Sequence, residues 1–168
     1  VLRYVADTMG QSKIVVFRHL SRGNEEQAQA ANKEFERCYA QLVADGKCSP
    51  IPQAEHVITS FRSRGIKVAL TTGFARETQQ AIIEALGWQD LADAVLCPAP
   101  GVRGRPYPDM ALAALMQTET DAVQSMVVVG DTSSDVITGL RAGARASVGV
   151  LTGAHNAEQL SAAGATHI

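Results

Sequence analysis

The feature that most constrains this chain is a regular alternation that begins after Pro52. Short apolar runs are each followed by a helix-patterned segment, and three of those segments stop at a glycine. The runs 66–71 (IKVALT), 93–97 (DAVLC), 125–129 (SMVVV) and 146–150 (ASVGV) read as strands, and 166–168 reads as the start of another. Segments 53–64, 75–86, 108–117, 134–142 and 157–163 read as helices. Gly65, Gly87 and Gly143 supply the left-handed residue that commonly closes a helix. Strands apolar on both faces need cover on both sides, which is the situation of parallel strands joined by crossover helices. The expectation is an α/β fold, a three-layer Rossmann-like parallel sheet, with ligands collecting at the carboxyl ends of the strands.

The first 50 residues follow a different period. Segment 9–20 reads as a short helix, and Ser21-Arg22-Gly23-Asn24 as a turn. In 25–45, Ala28, Ala31, Phe35, Cys38 and Leu42 recur every three or four residues, one face of an amphipathic helix. Ser49-Pro50-Ile51-Pro52 marks the boundary. Two units are therefore expected: a helical block over 1–50 and an α/β core over 51–168.

Composition narrows the function classes. Fifteen basic against 17 acidic residues give a net charge of −2, which excludes a generally basic nucleic-acid binder. No apolar run approaches the roughly 20 residues that span a bilayer. The opening VLRYVADTMG lacks the basic start and long apolar stretch of a secretion signal. Cys38, Cys48 and Cys97 are scattered and odd in number, which fits a reducing cytoplasm better than a disulfide framework. No CxxC pair, GxGxxG or GxxxxGK[ST] occurs, and Ser12 has no triad context. His56, His155 and His167 lack metal-ligand spacing, and Trp88 reads as packing.

Chemistry is expected at three strand ends. After IKVALT come Thr72 and Gly73, a hydroxyl and a flexible backbone ahead of a helix start, suited either to an anion or to an ordinary cap. After DAVLC comes a Gly/Pro-rich loop that holds Arg105 just ahead of a helix. A guanidinium there suits phosphate oxygens, with Arg103 as the other basic choice. After SMVVV comes GDTSSD. Asp131 and Asp135 could hold a hard cation such as Mg²⁺, or Asp131 or Ser134 could cap the following helix. A hydroxyl, a cation and an acidic pair together suit Mg²⁺-assisted phosphoryl transfer. A receiver-like signalling domain uses similar groups, but the region near the last strand, GVLTGAH, has no lysine.

With these motifs the chain resembles the haloacid dehalogenase superfamily. KVALTTGF is similar to its second motif, GRPYPD to its third and VVVGDTSSDV to its fourth. TTGF followed by AR, together with MGQSKI at 9–14, resembles the phosphonoacetaldehyde hydrolase branch. The resemblance implies a small α-helical cap, partial over 1–50, above the core. It implies a cytoplasmic hydrolase of a small phosphorylated or phosphonate substrate, with a homodimer left open. Thr72 and the Gly73 N–H would bind the phosphoryl group, Arg105 would neutralise it, and Asp131 and Asp135 would hold Mg²⁺. Lys13 matches the branch's Schiff-base lysine; a solvent-facing or phosphate-steering lysine is the plainer reading. Val16 stands where the branch tends to have histidine, and Phe74 where it has tyrosine. The first motif, with its nucleophilic aspartate, is not in these 168 residues, so the core is expected to lack its first strand. Asp7 resembles that motif only superficially, because the apolar run before it is short. The rival expectation is a catalytically inactive protein of the same fold that binds a phosphate ligand or a partner.

Overall fold

The computed structural model describes residues 1–168, apart from the side chain of Asp7. Three helices come first: α1 (Leu2–Asp7), α2 (Lys13–Leu20) and α3 (Glu25–Ala44). An alternating region follows: α4 (Ala54–Ser63), β1 (Ala69–Thr71), α5 (Arg76–Leu86), β2 (Ala94–Leu96), α6 (Asp109–Gln117), β3 (Val127–Gly130), α7 (Ser133–Arg141), β4 (Ala146–Gly149) and α8 (Ala157–Ala162). The α/β alternation is as the sequence predicts.

Local chemistry sets the helix ends. Asn24 caps α3 by accepting from the Gln27 N–H, with Glu25 and Glu26 in the first turn. Thr132 and Asp135 form a reciprocal capping box on α7, as Asn156 and Gln159 do on α8. Gly87 closes α5 at φ 68°. The helix expected over 9–20 starts only at Lys13, because Gly10 turns the chain at φ 86°. A preceding helix, α1, was not expected from the sequence.

The strands are shorter than their apolar runs. Ile66 and Lys67 are exposed and stand outside β1, and residues 123–125 form a 3₁₀ turn ahead of β3. All observed strand pairing within ladders is parallel, β1 with β2 and β3 with β4. The expected final strand is a single parallel bridge from His167 to Val148.

The sheet is not continuous. Among the described residues no ladder joins β1 to β3, so two two-stranded sheets lie side by side. Between them runs a cleft. On one side Ala69, Thr71, Val127, Val129, Met110 and Ala114 line a cavity of about 230 Å³. On the other, Leu70, Thr72, Val95, Val129, Asp131 and Tyr39 line one of about 500 Å³. Burial on both strand faces therefore fails at β3, where Val127 and Val129 are half exposed. Elsewhere the core is ordinary: Ala94, Leu96 and Ala114 pack together, while Met110, Val136 and Leu160 are fully buried. No helix is long and apolar enough to cross a membrane among the described residues.

Candidate active site

The motif residues come together at the carboxyl ends of β1 and β3. The larger cavity is lined by Thr72, Arg105, Asp131 and Asp135. A smaller one of about 120 Å³ beside it is lined by Gly10, Gln11, Lys13, Thr72, Gly73, Phe74 and Arg105. Arg105 lines both, so the two form one continuous site.

Thr72 does not cap α5, whose N-cap is Ala75. Its Oγ1 instead accepts from the Phe74 N–H at 3.3 Å, which shapes the loop. Gly73 has no room for a side chain: a Cβ there would sit 2.9 Å from the Gln11 carbonyl oxygen. The loop ahead of α2 thus rests directly on the loop after β1. Gly10 makes a similar approach to Thr132, which no Cβ could share.

Of the two candidate arginines, the structure separates the roles. Arg103 pairs with Asp109 at 2.8 Å on the surface and covers the Tyr107 ring. Arg105 points inward, its side chain only 14% exposed, and pairs with Asp135, itself 5% exposed. Its Nε is buried and has no protein partner. A buried donor without an acceptor is costly, so a guanidinium held this way is poised for an anionic ligand.

Asp135 carries two duties. One carboxylate oxygen accepts from the Thr132 N–H at 3.0 Å and from its hydroxyl at 2.6 Å, and the other meets Arg105. Capping belongs to Thr132 and Asp135, not to Asp131 or Ser134. Asp131 is held by the loop after β4, accepting from the Ala154 N–H at 2.9 Å. Both acids lean on glycines that could carry no side chain, Asp135 on Gly130 and Asp131 on Gly153. Asp131 and Asp135 are hard-oxygen donors of the type that suits Mg²⁺, with both Asp135 oxygens engaged here by Thr132 and Arg105. Among the described residues, no three His, Cys, Asp or Glu side chains are arranged around one point as a complete protein cage.

Lys13 is half-buried at the first turn of α2, its Nζ 3.9 Å from the Met9 sulfur and 6.0 Å from the Phe35 ring centre. Burial pushes its pKa below the ordinary lysine value, the nearby Arg105 charge adds to this, and Glu36 opposes it. Phe74 joins an aromatic wall, 4.4 Å from Tyr39 and 6.1 Å from Phe35 between ring centres. Val16 is buried. The reading of Asp7 falls on a side chain outside the described residues.

From its sequence position His155 reads as a loop residue. It is buried, and its Nδ1 accepts from the Ser133 N–H at 2.9 Å while Nε2 faces the Ala6 carbonyl at 3.3 Å. A ring that accepts at Nδ1 and donates from Nε2 satisfies both contacts. His155 therefore ties the start of α7 to α1. Glu36, which reaches the N-terminus of α5, was also missed. Neither carries a local sequence signal.

The structure thus gathers a hydroxyl, a buried guanidinium and two carboxylates at the strand ends of a parallel α/β core. The sequence model of the haloacid dehalogenase-like hydrolases matches residues 3–143, and the chain belongs to that family. A phosphonoacetaldehyde hydrolase from Bacillus cereus is 35% identical over 139 residues, covering 82% of this chain and 51% of its own length. Another from Bacillus cytotoxicus is 38% identical over 108 residues, covering 62% of this chain and 40% of itself. The chain thus spans about half the length of these curated relatives. Among solved structures, a phosphonoacetaldehyde hydrolase-like protein from Oleispira antarctica superposes with a TM-score of 0.84 at 25% identity, covering 99% of this chain and 74% of that one. A hydrolase from Pseudomonas syringae reaches 0.86 at 22% identity, covering 99% and 77%, and that likeness shows the fold.

Proposed function

We propose that the chain supplies the phosphate-binding and Mg²⁺-binding parts of a hydrolase acting on a small phosphorylated or phosphonate substrate, in the manner of the phosphonoacetaldehyde hydrolase branch. The observation that carries this reading is the buried Arg105, with an unpartnered Nε, beside Thr72, Lys13 and the Asp131–Asp135 pair. In it, residues 1–50 act as the cap and 51–168 as the core.

Thr72 and the Gly73 N–H would receive the phosphoryl oxygens, and Arg105 would offset their charge. Asp131 and Asp135 would hold Mg²⁺, which when bound supplies charge stabilisation to the transferring group. Lys13 faces the same space from the cap. Its depressed pKa favours the neutral amine that imine formation with an aldehyde needs. The nucleophilic carboxylate would enter on a strand of the same protein lying in the cleft between β1 and β3. Two unpaired parallel-strand edges flank that cleft, and such edges favour a further strand. A strand there would end level with Thr72 and Asp131.

A second reading is binding without turnover. The observation behind it is that Thr72, Gly73 and Arg105 line a cavity that can hold a phosphoryl group without any covalent step. Two measurements separate the readings. The chain is titrated with inorganic phosphate, with and without Mg²⁺. Release of phosphate from phosphonoacetaldehyde and from p-nitrophenyl phosphate is followed in parallel in the protein that includes the strand proposed for the cleft, with its nucleophilic carboxylate. Mg²⁺-dependent release, lost in Asp131→Ala, supports the hydrolase. Phosphate binding with no release supports the second reading, and no phosphate binding refutes both. Borohydride trapping of an adduct at Lys13 tests the phosphonate branch specifically.

A further inference from the structure

Helix α5 starts directly behind the Thr72–Gly73–Phe74 loop, yet its own segment provides no side-chain cap, because Ala75 occupies the N-cap. The acceptor comes from α3. Glu36 Oε1 accepts from the Ala75 N–H at 3.4 Å, and Oε2 accepts from the hydroxyl of Thr78, which is buried. Unpaired N–H groups and the positive end of the helix dipole both favour a carboxylate at this place. The helix start that would otherwise attract a ligand anion is thus already served by the protein.

Glu36 also lies between two aromatic contacts. Its neighbours on α3, Phe35 and Tyr39, both pack on Phe74 of the loop. Phe35 in turn touches Phe17 of α2 at 5.9 Å and lies beside Lys13. One carboxylate therefore fixes α3 to the core at the point from which contacts run to Phe74 on one side and to α2 and Lys13 on the other.

We propose that Glu36 is a positioning residue: from α3 it caps α5, and so seats α2 and α3 over the Thr72–Gly73 loop with Lys13 held at the site. The proposal rests on the phosphate-binding reading of that loop. Loss of a charged acceptor at a cap is a large perturbation, about tenfold in a linked equilibrium.

The test uses the full chain and two readouts. One is the NMR shift of the Phe74 ring protons, which lie in the ring currents of Tyr39 and Phe35. The other is titration with inorganic phosphate in Mg²⁺. Glu36→Ala should move the Phe74 shifts toward unstructured values and weaken phosphate binding about tenfold. Glu36→Gln, which keeps an acceptor oxygen, should restore most of both. Lys13→Ala should weaken phosphate binding in the natural chain and add little in the Glu36→Ala background. A merely structural cap would lower thermal stability and leave the two effects independent, and that result overturns the proposal. So do unchanged Phe74 shifts in folded Glu36→Ala. If that variant does not fold, the near-isosteric Thr78→Val takes its place and should shift both readouts the same way by a smaller factor; no change in either overturns the proposal. If the natural chain does not bind phosphate, the reading of the site fails separately. The Phe74 shifts then decide the seating alone, for it if they depend on Glu36 and against it if they do not.

Discussion

Replacing Asp135 by Asn tests the internal logic of the site. The side chain of Asp135 is 5% exposed and that of its partner Arg105 is 14% exposed. Asn keeps one oxygen for the Thr132 N–H, so the capping box is only partly lost, at about 1 kcal/mol or less. The larger consequence falls on Arg105. Its guanidinium would keep its charge, lose the only acidic partner it has among the described residues and stay buried with Nε still unpaired. Removing one member of a buried pair costs about 3–5 kcal/mol. Most of that should appear here, because the cost of a buried arginine that has lost its partner is not relieved by neutralisation of the side chain. Urea unfolding followed by circular dichroism reads the loss as a fall in midpoint at constant slope. The companion Arg105→Met removes the charge that needs a partner and leaves Asp135 its two bonds to Thr132, so it should cost less than Asp135→Asn. If Asp135→Asn stays within about 1 kcal/mol of the natural chain, the pair behaves as a solvated surface bridge. Arg105 would then not be a buried cation held ready for an anion.

Two further outcomes follow from packing and charge. Gly139→Ala should destabilise by about 1–3 kcal/mol in the same unfolding assay, because a Cβ on α7 would sit 2.5 Å from Ser147 Oγ and 2.9 Å from Val128 Cβ. Arg103 holds the Asp109 carboxyl down to about 2, mainly through its side-chain hydrogen bonds. The ionised form is thus favoured in the folded chain, so this contribution is complete above the ordinary value of about 4 and fades as pH falls toward 2. Melting temperature followed from pH 5 to pH 2 should fall less steeply in Asp109→Asn than in the natural chain; equal slopes would count against the linkage.

What the sequence disclosed depended on the range of the physical cause. A helix end set by one residue, such as Gly87, is readable from neighbouring letters, whereas at α7 the sequence offers Asp131 or Ser134 where Thr132 and Asp135 form the cap. Helix α1 has no side-chain cap and spans six residues, so it left little pattern. Strand β1 is shorter than its apolar run because Ile66 and Lys67 face solvent, which depends on what packs nearby. The division into two sheets depends on what lies between β1 and β3, and no spacing within either run encodes that. The candidate site divides in the same way. Thr72, Arg105, Asp131 and Asp135 were legible because parallel strands deliver their carboxyl ends to one edge. The pairing of Arg105 with Asp135 spans 30 positions, and that of Glu36 with Thr78 spans 42. Contacts at that separation belong to the tertiary fold.

The two departures from the branch's pattern act together on the proposed chemistry. Val16 is buried in α2, and Phe74, stacked on Phe35 and tilted against Tyr39, gives the site an apolar wall beside Lys13. Such a wall excludes water and lowers the local dielectric, which strengthens the attraction of Arg105 for a phosphoryl anion. It also removes the imidazole and the phenol that the branch tends to place at these positions, and with them two groups able to hydrogen-bond a substrate carbonyl or its hydrate. The features that favour binding of the charged end of a substrate are therefore retained. Those that would steer an aldehyde toward Lys13 are reduced to the position and depressed pKa of the lysine itself. On that balance the amine is the sharper discriminator between a phosphonate and a phosphate-ester substrate. An imine requires a free electron pair on Nζ, whereas electrostatic steering of a phosphate requires its proton.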